Sequence, residues 1–67
     1  MALSKNHFEK VAAIISKQMN EAWAIGALGR IYGLETISED LADFFLTENS
    51  RFDRYKFLKA CGMRDYQ

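Results

Sequence analysis

Residues 41–63 read LADFFLTENSRFDRYKFLKACGM, and the fold follows from how this stretch is divided. Asn49-Ser50 predicts a turn, because short polar side chains bond their own backbone there. Asp53 predicts the N-cap of a helix over 53–61. Phe52 precedes that cap and Phe57 follows at the fourth helical position, the spacing of a hydrophobic staple. The Asp53 carboxylate would also face the positive end of the helix. Tyr55, Phe57, Leu58 and Cys61 supply apolar surface, and Gly62 is the expected C-cap. Upstream, Thr36 and Glu39 have capping-box spacing, which predicts a helix over 36–48. Ile37, Leu41, Phe44, Phe45 and the stem of Glu48 would line one side, with Asp40, Asp43 and Thr47 facing water.

The N-terminal part has a matching start signal. Ser4 predicts an N-cap, and Leu3 and Phe8 have staple spacing. Phe8, Val11, Ala12, Ile15 and Met19 then recur every three or four residues, the stripe of an amphipathic helix over 4–20. Lys5, Glu9, Lys10 and Lys17 fall largely off that stripe.

Between these lies EAWAIGALGRIYGLETI, residues 21–37. Its apolar residues go nearly all round a helical wheel, and such a helix is buried on all sides. The expectation is a helix over 21–33, either separate or a kinked extension of the first, with Gly33 as its C-cap. Gly26 and Gly29 each weaken it by about 1 kcal/mol relative to Ala. The fold class is therefore all-α, a small three- to four-helix bundle forming one domain over 1–67. Its expected core is Phe8, Val11, Ile15, Leu41, Phe44 or Phe45, Phe57 and Leu58.

A chain of 67 residues buries a marginal core. One cysteine, Cys61, allows no internal disulfide, and with the single His7 it makes no structural zinc site. Self-association or a partner protein is left as the means of extra stability. Apolar residues make up 49% of the chain, which argues against disorder. Net charge is zero but unevenly spread. Residues 1–20 carry three lysines against Glu9, 21–49 carry Arg30 against six acids, and 50–67 carry five basic side chains against two acids. The polar opening MALSKNHFEK has no apolar leader segment, and the stretch 22–34 is too short to span a membrane and contains Arg30. The expected location is the cytoplasm.

No motif points to catalysis, a cofactor or a metal. Glu39, Asp40 and Asp43 read as a solvated helical face, His7 as a polar first-turn residue and Cys61 as core. The glycines of GALGRIYG fit neither a P-loop nor a dinucleotide fingerprint. Two features remain. Trp23, Ile25, Leu28, Ile31 and Tyr32 are more apolar surface than a small bundle can cover, which marks a candidate interaction surface. A second copy of the same segment could close it as a homodimer, with Gly26 and Gly29 letting the backbones approach. Arg51, Arg54, Lys56, Lys59 and Arg64 give the last helix a basic side, which suggests nucleic-acid contacts. The neutral total charge and the core spacing of Phe52, Tyr55 and Phe57 weigh against that second reading.

The stretch 41–63 also resembles a pattern of small helical proteins encoded by bacteriophages and related mobile elements. There an "LA..F" helix is followed by "NP.FD..RF..AC". Leu41-Ala42, Phe44-Phe45, Asn49, Arg51-Phe52-Asp53-Arg54, Phe57 and Ala60-Cys61-Gly62 carry the likeness, with Ser50 in place of the proline. Phe8, Val11, Ala12 and Ile15 are similar to that group's first helix. The resemblance implies a helical fold with these residues as caps, staple and core, and no catalytic role. The expected function is a protein-protein interaction module that binds or inhibits a host or viral protein, the alternative being a nucleic-acid-binding or regulatory domain.

Overall fold

A computed structural model describes residues 4–66. Its helices are α1, Lys5–Ala24; α2, Leu28–Glu48; and α3, Arg54–Ala60, followed by a 3-10 turn at Arg64–Tyr66. No strand is present among the described residues, and the all-α class holds. The fold is a three-helix bundle, and a fourth helix over 21–33 does not form.

The break falls inside that segment. Gly26 takes φ +67°, a left-handed conformation that only glycine adopts readily. Gly26 N–H donates to the Trp23 carbonyl (3.2 Å) and Ala27 N–H to the Ala22 carbonyl (2.9 Å). This is the Schellman pattern, which satisfies the last carbonyls of α1. The apolar residues of 22–34 are thereby divided between two helices. Gly33, expected as a C-cap, lies inside α2 with no positive φ. Thr36, expected as an N-cap, also lies inside it, and its hydroxyl donates back to the Tyr32 carbonyl at 3.0 Å.

The other end signals act as read. Asp53 Oδ1 accepts from Lys56 N–H at 3.0 Å. Asn49 Oδ1 accepts from Arg51 N–H, also at 3.0 Å, closing the turn before α3. Gly62, at φ +89°, ends α3 with a second Schellman pattern: Gly62 N–H to Lys59 O, Met63 N–H to Leu58 O. At the start of α1, Ser4 N–H donates to His7 Nδ1 at 3.1 Å, so His7 fills the reciprocal position of a capping box. Leu3, the expected staple partner of Phe8, lies outside the described residues, as does Gln67.

Four rings join the three helices. Phe8 of α1 sits 4.9 Å from Phe45 of α2 and 4.7 Å from Phe52, and Phe57 of α3 lies 5.5 Å from both Phe45 and Phe52. Tilted and edge-on pairs at these separations add to the burial of the rings themselves. Around them pack Ile15, Met19, Ala22, Ile31, Ala42, Leu58, Cys61 and Met63. Val11 and Leu41, expected in the core, are half-buried beside it, and of the Phe44/Phe45 pair it is Phe45 that enters. Ile37 and Phe44 face outward instead, because the buried stripe of α2 runs through Ile31, Ser38, Ala42 and Phe45. Ser38 is fully buried, and its hydroxyl is satisfied by the Leu34 carbonyl at 2.7 Å.

Candidate interaction surface

The turn between α1 and α2 puts large apolar side chains into solvent. Ile25, Leu28 and Tyr32 are 70, 69 and 72% exposed. Leu28 and Tyr32 stand one helical turn apart on the same side of α2. Ile31, read as part of this surface, is buried in the core, because the register of α2 puts it on the same buried stripe as Ser38, Ala42 and Phe45. Trp23 is partly covered: the Arg64 guanidinium lies 4.1 Å from its ring centroid, a cation–π contact. The same end is held by Arg30, which donates to Gln18 Oε1 and stands 3.6 Å from Glu21. Arg30 thus ties the start of α2 back onto α1. Its role is not legible in the sequence, since its partners are set by the turn at Gly26.

The five basic residues read as nucleic-acid contacts do not form one row. Arg54 Nε donates to Asp43 Oδ1 at 2.8 Å. Hydrogen bonds to Asp43 and then to Tyr66 raise its pKa above the ordinary value. Arg64 lies beyond α3, in the 3-10 turn, with its guanidinium over the Trp23 ring. Arg51, Lys56 and Lys59 are exposed, on a helix of only 7 residues and the turn before it. Two of these three border a groove of about 490 Å³ between α1 and α3. Its floor is Phe8, Phe52 and Phe57, and Lys5, Arg51 and Lys56 stand on its rim with Glu9.

The remaining titratable residues stay apart. Glu39 and Asp40 are exposed, and Asp43 is engaged by Arg54. His7 is part of the α1 cap. Cys61 is fully buried; burial pushes its thiol up to about 11, and the Ser38 hydroxyl pulls it partly back. A thiol at that value is a poor nucleophile at neutral pH. Among the described residues no group of three or more His, Cys, Asp or Glu is placed to hold a metal ion. No described helix is long and apolar enough to cross a membrane.

Five further apolar side chains are exposed among the described residues where core or no surface role was expected: Ile14, Ile37, Phe44, Leu46 and Tyr55, at 66, 55, 52, 40 and 58%. The i, i+4, i+7 spacing of Ile37, Leu41 and Phe44 was legible as one side of a helix. Which of two apolar sides faced the core was hidden by Ser38, a polar residue at a buried position.

The chain matches no protein-family profile, no curated protein and no solved structure.

Proposed function

We propose that this chain is a helical protein-protein interaction module, carried by a phage or mobile element. In this reading it binds or inhibits a host or viral protein in the cytoplasm of a bacterial cell, and it is not an enzyme. The observation that carries the reading is the exposure of Ile25, Leu28 and Tyr32 at the α1–α2 turn. Clustered large apolar side chains are uncommon on small monomers unless another surface covers them. Tyr32 and the nearby Trp23 are of the types that dominate binding energy at protein interfaces. Support for a mobile-element source is the sequence resemblance alone, whose residues serve here as turn, cap, aromatic cluster and C-terminal stop.

Nucleic-acid binding through α3 is the weaker reading. Of the basic side chains it would use, Arg54 is engaged by Asp43 and Arg64 by Trp23. The test compares capture of host proteins by the tagged chain, with and without nuclease, with a gel shift on random duplex. A protein partner whose capture resists nuclease and is lost in Leu28→Asp supports the proposal. Sub-micromolar, salt-sensitive duplex binding would replace it with the second reading, since each neutralised phosphate releases a counterion.

A further inference from the structure

The back of the α1–α2 hairpin, away from α3, carries a second apolar strip. Two contacts fix how the helices run past each other: Arg30 on Gln18 near the turn, and Phe8 against Phe45 at the far end. Stepping along both helices from the phenylalanines brings Val11 level with Leu41 and Ile14 level with Ile37. Ile14 is two residues from both Ala12 and Ser16, about 160° round the helix from each. Ala12 lines the α1–α3 groove, and Ser16 is the side chain nearest Gly62. Ile14 therefore points away from α3. Ile37 is exposed and lies one residue, about 100°, from Ser38, which is fully buried. Half-buried Val11 and Leu41 lie between the exposed side chains.

The charges beside this strip differ between the two helices. On α1, Lys10 and Lys17 stand four residues before and three after Ile14. On α2, Asp40 stands between Ile37 and Phe44, and Glu48 follows Phe44 by four. All four charged side chains are exposed. Beside Ile14, α1 thus presents Lys10 and Lys17, with Glu21 seven residues on and paired to Arg30, while α2 reads apolar-acidic-apolar-acidic from Ile37 to Glu48. Such a face complements itself: a two-fold rotation about an axis along the helices sets α1 of one copy over α2 of the other.

We propose that the back face of the α1–α2 hairpin is a homodimer interface, closed as a four-helix bundle by a second copy. Ile14 of each copy meets Ile37 of the other, and Lys10 meets Asp40. Closed two-fold pairing is the commonest symmetric solution for soluble chains, and antiparallel hairpins joined face to face are a standard helical bundle. The interface is distinct from the surface at Ile25, Leu28 and Tyr32, so it stands or falls independently of the proposed function. It also differs from a dimer through 22–34, because Gly26 and Gly29 lie at the turn and not on this strip.

Sedimentation equilibrium of the full chain at tens to hundreds of micromolar tests it. The expected species has twice the 7.7 kDa chain mass. Ile14→Asp and Ile37→Asp, both at exposed positions, should each weaken the dimer by roughly tenfold or more. Lys10→Glu and Asp40→Lys should each weaken it, and the two together should restore it, while far-UV dichroism stays helical throughout. A 7.7 kDa monomer over the whole range would overturn the proposal. A dimer indifferent to these four substitutions but dissociated by Leu28→Asp would overturn it too, by moving the interface to the turn.

Discussion

The guanidinium of Arg64 lies 4.1 Å from the centre of the Trp23 ring, so the segment after α3 closes over the end of α1. The contact joins residues far apart in sequence, and Met63, buried just before Arg64, anchors it. The packing of Met63, Arg64 and Tyr66 makes 63–66 part of the domain. Arg64→Ala should expose more of the indole, red-shift Trp23 fluorescence and cost about 0.5–1 kcal/mol in a denaturant melt. An unchanged emission maximum would mean that the ring is not covered in solution.

Two glycines should respond to alanine with opposite signs. Gly26 sits at φ +67°, where an L side chain is strained, so Gly26→Ala should destabilise by about 1–2 kcal/mol. Gly33 is helical and a Cβ there meets nothing within 4 Å, so Gly33→Ala should stabilise by about 0.5–1 kcal/mol. Thermal melts of both variants check this; a destabilising Gly33→Ala would restore the helix break that the sequence suggested.

Much of α3 was legible in the sequence, because its signals are local. Asp53, the Phe52–Phe57 pair and Gly62 each act within a few residues of themselves. The 21–37 segment was not legible, because two rival stops lay seven residues apart. Gly33 looked stronger because Thr36-x-x-Glu39 followed it, yet the buried stripe of α2 runs unbroken past both. The exposed turn end was seen at Ile25, Leu28 and Tyr32. The error at Ile31 follows from reading one helix where there are two.

Asp53→Ala should lower stability by about 1 kcal/mol, the usual loss of an N-cap. Phe57→Ala should cost about 3–5 kcal/mol, since its ring is buried against Phe45 and Phe52. Urea melts with both values within error of wild type would remove the basis for α3.

Cys61 gives a pH test. Its folded thiol titrates near 11, above the 9.0 of an ordinary thiol, so the unfolded chain ionises first as pH rises. Stability should be unaffected below about 8 and fall between roughly 9 and 11, by on the order of 2–3 kcal/mol. The same slope should be missing from Cys61→Ala, measured over the same range. Parallel curves for the two proteins would show that the thiol is not held neutral by burial.

The central claim is that the α1–α2 turn end is the contact surface for another protein. Site-specific photo-cross-linking in the host cell tests it most directly, with the photoreactive residue at Tyr32 in one preparation and at Lys56 in another. A discrete protein adduct is expected from position 32, lost when Leu28→Asp is added, and none of comparable yield from position 56. Adducts to nucleic acid from position 56, with none to protein from position 32, would contradict it.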